Sequence, residues 1–175
     1  MSGQLQIHAA AMLYPSGSGS KDTLLTFVQG LKTNGYSVGG ILQELIFDES
    51  GVNIGVDAIA LDNEERFPIV RPSKEDIAAG SCGLDRSTLS ESSVALRRAI
   101  AAPVDLLVVE KFGEREQLGE GLADDILRAM SDGIPTLVAV PNSAEPKWTE
   151  FTGGLSANLT TDLSDLENWW RSVQS

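Results

Sequence analysis

A stretch rich in Gly and Ser at residues 15–20 ends directly before Lys21, and it is the first feature of the sequence that suggests chemistry. It follows an apolar run and precedes a segment with helical spacing. Small residues between a strand and a helix let backbone N–H groups surround a phosphate, while a lysine reaches the terminal phosphates. We therefore predict a phosphate- or anion-binding loop. Its candidate residues are Gly17, Ser18, Gly19, Ser20, Lys21, Asp22 and Thr23.

This loop departs from the phosphate-loop pattern G-x-x-x-x-G-K-[ST] when the two are aligned on Lys21. Pro15 takes the place of the first Gly and Ser20 that of the second. Asp22 stands where a Ser or Thr hydroxyl would bind Mg²⁺, and it would place a negative charge beside the phosphates unless a metal lay between them. A plain strand-to-helix turn with an exposed lysine is therefore an open alternative.

A second candidate region begins where an almost continuously apolar strand, residues 104–109, ends in Glu110. An acid at this place can hold Mg²⁺, so Glu110 is the metal candidate, and Arg115 could pair with a phosphate. Lys111 occupies the next position, where a catalytic carboxylate often follows, so we expect hydrolysis to be weak or absent. Ligands of open α/β sheets bind beyond the carboxyl ends of the strands. The strand-end candidates are Glu110, Lys111, Phe112, Gly113, Arg115 and Glu116.

The alternative for this second region is a charged loop in which Gly119 and Gly121 serve only the turn. Cys82 and His8 are each the one residue of their type, and we interpret them as a pocket-wall residue and a packed strand residue. The three tryptophans could stack on a base, but we favour a role in anchoring the terminal helix. At most one of the adjacent Trp169 and Trp170 is expected to face the core directly.

Strands alternate with helices along the chain, which predicts a three-layer α/β domain with a mainly parallel sheet flanked by helices. Tight turns predict an antiparallel hairpin extension around residues 45–70. We expect one domain over residues 1–175, with a loop at residues 72–81. The predicted strands are 5–14, 36–47, 52–61, 66–70, 104–109, 134–140 and 155–159, and the predicted helices are 21–34, 85–102, 118–132 and 162–173.

Composition limits the partners. The 175 residues include 13 Lys+Arg and 25 Asp+Glu, a formal net charge of −12. Such a surface repels phosphate backbones and anionic lipids, so we expect no nucleic-acid partner and no membrane association. A single cysteine and an N-terminus without a signal-like pattern favour a cytoplasmic protein.

The strand-end segment, residues 108–121, contains Phe-Gly-x-x-Glu-x-x-Gly-x-Gly and resembles the signature of a small bacterial family of domains of unknown function. Further marks of that family are residues 81–85, residues 133–140 and the Trp169-Trp170 pair. Glu110 departs from the family's usual Asn. The resemblance associates the chain with molybdenum metabolism or with transporter-like ATPases.

More distantly, the chain is similar to the cancer-related and thermophile nucleoside-triphosphatases. This similarity lies in the order of elements, in Lys21, in Val-Gly-Gly-Ile-Leu at residues 38–42 and in the strand that ends before Phe-Gly. It implies a fold like that of P-loop nucleoside-triphosphatases, with Mg²⁺ and a nucleotide as cofactors.

The sequence thus predicts a nucleotide- or anion-binding protein on a degenerate P-loop scaffold with weak or no hydrolysis, whose ligand bears phosphate or is an oxyanion. Two alternatives stay open. One is a non-enzymatic regulatory protein that has lost the ligand and binds itself as a homodimer or another protein through residues 66–86. The other is an active nucleoside-triphosphatase in which Asp22 or Thr23 takes over the Mg²⁺ role.

Overall fold

The computed structural model describes residues 6–15, 21–81 and 83–174. Helices and strands alternate through this part of the chain, as the hydrophobic periodicity predicts. The strands are β1 (Ala9–Tyr14), β2 (Val38–Phe47), β3 (Asn53–Ala60), β4 (Arg66–Val70), β5 (Leu106–Glu110), β6 (Thr136–Pro141) and β7 (Ser156–Leu159). The α-helices are α1 (Lys21–Thr33), α2 (Lys74–Ala78), α3 (Arg86–Ala101), α4 (Glu114–Gln117), α5 (Ala123–Ser131), α6 (Glu145–Thr152) and α7 (Leu163–Gln174), and a 3-10 turn spans Asn142–Ala144.

The seven strands form one mixed sheet in the order β4-β3-β2-β5-β6-β1-β7. Every pairing from β2 to β7 in this order is parallel, because each of those strands is reached through a helical crossover. β2, β3 and β4 pair antiparallel through tight turns. The predicted α/β sheet with an antiparallel extension is therefore confirmed.

Two apolar layers enclose the sheet. Side chains of α1 and α7 cover one face, and they pack on alternate residues of the central strands such as Met12, Leu106 and Val108. Side chains of α3, α5 and α6 cover the other face and pack on Val109 and Val138. Because successive strand residues point to opposite faces, this alternation also decides to which face each residue at a strand end belongs.

Three local predictions are wrong. The helix predicted over residues 118–132 begins only at Ala123, because Gly119 and Gly121 adopt positive φ angles, and the short helix α4 before it was not predicted. The predicted loop at residues 72–81 contains α2, which begins at a Ser73 capping box. Helix α6 was not predicted, and its short apolar face leaves little periodicity to detect.

No helix in the described part of the chain is long and apolar enough to cross a membrane.

Candidate functional site

Three neighbouring parallel strands, β5, β6 and β1, end at one edge of the sheet. The last described residue of β1 is Tyr14, and the predicted phosphate loop follows it. Register places Glu110 and Met12 level with Ala139, one on each side of β6. Crevices at such an edge are the usual ligand sites of open α/β sheets. The structure thus brings Glu110 and the strand that precedes the predicted phosphate loop to the same edge.

Glu110 is the last residue of β5 and is only 3 % exposed. Leu106 and Val108 belong to the layer under α1, so alternation places Glu110 on that same face. Tyr14 ends β1 in the same layer. Burial, and to a smaller extent the negative charge of Glu110, together raise the pKa of the Tyr14 phenol to about 12. A carboxylate and a phenol therefore share the floor beneath the start of α1.

Much of the predicted phosphate loop lies outside the described residues. This holds for Gly17, Ser18, Gly19 and Ser20 and for the side chain of Lys21, so their phosphate-binding role stays a prediction. Asp22 is exposed in the first turn of α1, where its charge favours the helix dipole. The Thr23 hydroxyl donates a hydrogen bond of 2.8 Å to the carbonyl of Thr161. Thr23 thus ties α1 to the segment before α7.

Glu116 has a local structural task within the strand-end segment. It is 4 % exposed, and burial raises the pKa of its carboxyl group. Its Oε1 accepts the Gly113 N–H at 2.9 Å and its Oε2 accepts the Leu122 N–H at 3.1 Å. An added Cβ at Gly121 would lie 1.9 Å from that Oε2. Glu116 and Gly121 therefore hold this segment in a compact turn.

Phe112 anchors the same segment from below. It is fully buried, and its ring centroid lies 5.1 Å from those of Trp148 and Phe151. The Phe112 N–H donates to the carbonyl of Ala139 at 2.9 Å, which extends the pairing of β5 with β6. Phe112 and Glu116 together hold the chain just beyond Glu110 in one conformation.

The two cations of the segment have different surroundings. The Arg115 guanidinium lies 3.1 Å from the Glu120 carboxylate, and its pairing with a phosphate stays a prediction. Lys111 is exposed and lines a cleft of about 350 Å³ between the segment and the β2–β4 extension. Leu89 of α3 also lines this cleft, so it lies on the opposite face of the sheet from α1. The side chains of the consecutive residues Glu110 and Lys111 therefore lie on opposite faces of the sheet.

The remaining sequence candidates are mostly structural. The carbonyl of His8 accepts the N–H of Thr136 at 2.9 Å, and Cys82 lies outside the described residues. Trp148 is fully buried and its Nε1 donates to the Ser156 hydroxyl at 2.9 Å. Trp169 and Trp170 are both residues of α7, and both side chains are buried in the layer between α7 and the sheet. The expectation that at most one faces the core is therefore wrong.

Sequence reasoning missed Tyr14 and Asp57. Tyr14 could have been found as the last residue of an apolar strand directly before the loop. The Asp57 carboxylate is 6 % exposed and lies 3.2 Å from Arg66 and 2.5 Å from Arg71. Its partners lie on the next strand and beyond, so no local pattern points to it. It braces the β2–β4 extension.

Among the described residues, no group of three or more His, Cys, Asp and Glu side chains is placed to hold a metal ion. The metal role of Glu110 therefore stays a prediction. Its buried carboxylate, aimed to the face of α1, suits a Mg²⁺ ion whose other ligands come from a bound phosphate and from water.

The fold and the shared strand edge define the class. The chain has the fold of a P-loop nucleoside-triphosphatase: it superposes on the solution structure of a human cancer-related nucleoside triphosphatase with a TM-score of 0.73. That match has 19 % sequence identity and covers 94 % of this chain and 98 % of the other. Residues 9–169 match the family model described as "Protein of unknown function (DUF2478)", so the chain belongs to the DUF2478 family.

Two curated relatives add distant homology to nucleoside-triphosphatases. The Molybdenum import ATP-binding protein ModC 2 of Bradyrhizobium diazoefficiens is 39 % identical over 95 % of this chain, which spans only 18 % of that relative's length. The Nucleoside-triphosphatase THEP1 of Methanopyrus kandleri is 25 % identical over 76 % of this chain and 73 % of its own length.

Proposed function

We propose that this protein binds a nucleotide through its phosphates, at the loop between β1 and α1, and hydrolyses it weakly or not at all. The observation that carries the proposal is the placement of the buried Glu110 carboxylate at the edge where β1 leads into that loop, on the face covered by α1. The relatives named for ATP binding and nucleoside-triphosphatase activity support nucleotide binding in general.

In this proposal the backbone N–H groups of Gly17, Ser18, Gly19 and Ser20 surround the phosphates, and Lys21 reaches the terminal ones. Mg²⁺, when bound, neutralises phosphate charge, and Glu110 is the carboxylate that faces it. Phe112 and Glu116, the latter through the Gly113 N–H, keep the chain after Glu110 in place, and Arg115 could pair with a phosphate.

Weak hydrolysis follows from two substitutions within the site. Asp22 offers a carboxylate where a hydroxyl would bind Mg²⁺, and the Thr23 hydroxyl is engaged with Thr161. Lys111 follows Glu110 where a second acid would orient the attacking water, and it lines the cleft on the other face. Position 22 therefore lacks the Mg²⁺-binding hydroxyl, and position 111 lacks the acid that would orient water for hydrolysis.

An oxyanion is a second candidate ligand. The ModC 2 relative is named for molybdenum import, and molybdate is a tetrahedral dianion that a ring of backbone N–H groups can hold as it holds phosphate. The same loop residues would bind it, without a base-binding surface.

Thermal unfolding with ATP, GTP, phosphate or molybdate, each with Mg²⁺, tests both candidates. A ligand at about a hundred times its dissociation constant adds about 2.7 kcal/mol to the free energy of unfolding. We expect a rise of several degrees with a nucleotide, lost in Lys21→Ala and kept in Lys147→Ala, which removes an exposed lysine of α6.

The remaining outcomes decide between the candidates. A rise in melting temperature with molybdate alone would mean that the ligand is an oxyanion and not a nucleotide. No shift with any of the four at millimolar concentration would refute the proposal and leave the non-enzymatic, partner-binding alternative. Phosphate release from ATP should stay close to that of the Lys21→Ala variant, and turnover well above it would contradict weak hydrolysis.

A further inference from the structure

The cleft of about 350 Å³ between the strand-end segment and the β2–β4 extension is separate from the proposed nucleotide site. Its floor is apolar and is formed by Val56, Ile69, Leu84 and Leu89. These residues belong to, or pack against, the layer under α3, whereas Glu110 lies on the face of α1. A ligand here would lie on the opposite face of the sheet from Glu110 and Tyr14.

The cleft has the size and make-up of a small-molecule site. Its volume lies within the range of about 300–1,000 Å³ that is usual for ligand pockets, which combine apolar walls with a few polar groups. Gln43 lies two residues after Ile41 on β2, so both side chains point to the same face of the sheet. The half-buried Gln43 side chain lines the cleft there. Within the described part of the chain, the Gln43 amide has no hydrogen-bond partner.

Charge at the rim favours an anionic group on the ligand. Lys111 forms no ion pair within 4.0 Å among the described residues. The Arg115 charge is compensated by Glu120, and both Glu116 oxygens accept backbone N–H groups. Glu114 is exposed, so water screens its charge. The Lys111 charge acts on the Glu116 carboxyl group, whose pKa it lowers, but no ion pair joins the two side chains, so the Lys111 ammonium group can still contact an anionic group of a ligand.

We infer that this cleft binds a small organic acid with an apolar body, aromatic or branched aliphatic. The body lies on the floor of Val56, Ile69, Leu84 and Leu89, and the carboxylate accepts hydrogen bonds from the Lys111 ammonium and the Gln43 amide. The inference does not depend on a nucleotide at the first loop, because Asp22, Thr23 and Glu110 are not among the described residues that line the cleft.

Two-dimensional ¹H–¹⁵N spectra of the full chain, titrated with sodium 2-naphthoate, test this assignment. We expect saturable shifts confined to residues around the cleft, with a dissociation constant below about 10 mM. Lys111→Gln should weaken binding about five-fold, since a partly exposed ion pair contributes modestly. The matched variant Lys147→Gln changes an exposed lysine on α6 and should leave binding unchanged.

Two further ligands distinguish the contribution of the apolar body to binding from that of the carboxylate charge. The neutral 2-naphthamide should bind more weakly than 2-naphthoate, and acetate should cause no local shifts at the same concentration. Val56→Phe, which fills the floor, should abolish naphthoate binding while Lys21→Ala leaves it intact. The inference is overturned by equal binding of acid and amide, by unchanged affinity in Lys111→Gln, or by the absence of saturable shifts.

Discussion

At the scale of single residues, the Phe-Gly-x-x-Glu-x-x-Gly-x-Gly motif stabilises the local fold of its own segment. Glu116 is only 4 % exposed, and both its oxygens accept N–H groups of its own segment. A buried carboxylate is stable only with such partners. Gly121 is needed because its hydrogen leaves room for the Glu116 Oε2. These residues shape the chain after Glu110 without any ligand.

Gly121→Ala should destabilise the protein more than Gly119→Ala. Both glycines have positive φ, 59° and 79°, so both variants carry strain of about 1–2 kcal/mol. Only the Cβ at residue 121 would displace Glu116, because nothing lies within 4 Å of a Cβ at residue 119. We expect an extra loss of about 1–3 kcal/mol in urea unfolding, the cost of an unsatisfied Leu122 N–H. Equal losses would show that Glu116 contributes nothing.

Tyr14 should make stability fall at alkaline pH. Its pKa is raised from 10.0 to about 12 in the folded state, so the folded protein holds the phenol proton more tightly than the unfolded chain. Stability is then lost as the pH rises from about 10 towards 12. Urea unfolding should show a flatter decline over this range in Tyr14→Phe than in the unchanged protein.

Glu110→Gln gives a check on the cause of that shift. Burial is the larger cause and the charge of Glu110 the smaller one, so the tyrosinate absorbance of Tyr14 should appear at a somewhat lower pH in this variant. An unchanged titration would mean that Glu110 and Tyr14 do not act on each other.

At the scale of elements, the β2–β5 pairing joins the antiparallel extension to the parallel sheet. Register sets Gly40 opposite Val108, and the following segment returns so that the Leu61 N–H donates to the Gly40 carbonyl at 2.9 Å. Gly40 has a φ of 108°, and an added Cβ would lie 1.9 Å from the Val108 carbonyl oxygen. The close packing of β2 on β5 thus explains the glycine at position 40.

Gly40→Ala should therefore lower the free energy of unfolding by about 3 kcal/mol or more, the combined cost of overpacking and backbone strain. The matched change Gly30→Ala lies in α1, where nothing is within 4 Å of the new Cβ. It should raise stability by about 0.5–1 kcal/mol, because alanine favours helix more than glycine does. Chemical denaturation of both variants measures the difference, and a stable Gly40→Ala protein would contradict this explanation.

At the scale of the whole molecule, acidic side chains outnumber basic ones by 25 to 13. Several of the basic residues are already used within the fold, as in Arg98 with Asp62 at 2.7 Å and Arg66 with Glu44 at 3.1 Å. The excess negative charge repels itself across the surface and lowers the stability of the compact state. Exposed ion pairs contribute little to offset this repulsion.

Raising NaCl from about 20 mM to about 500 mM should accordingly raise the melting temperature, because salt screens repulsion over distances beyond a few ångströms. Choline chloride should give the same rise, which separates general screening from binding of Na⁺. A melting temperature that falls with salt would mean that the ion pairs outweigh the repulsion.

The sequence by itself determined the class of fold, and it predicted the sheet edge at which a candidate site would lie. Alternation of apolar runs with helical spacing is a local property, so it predicted the strands, most helices and the antiparallel extension. The apolar strand before Glu110 and the loop before Lys21 were found in the same way, since ends of parallel strands share one edge.

Only the tertiary structure decided how individual polar groups are used. Glu116 meets the N–H of Leu122, Asp57 meets Arg66 and Arg71, and Lys111 faces the cleft opposite Glu110. Each contact depends on where a loop turns back or on which strands become neighbours. Such pairings are set by the packing of distant segments, so the spacing of residue types along the chain does not contain them.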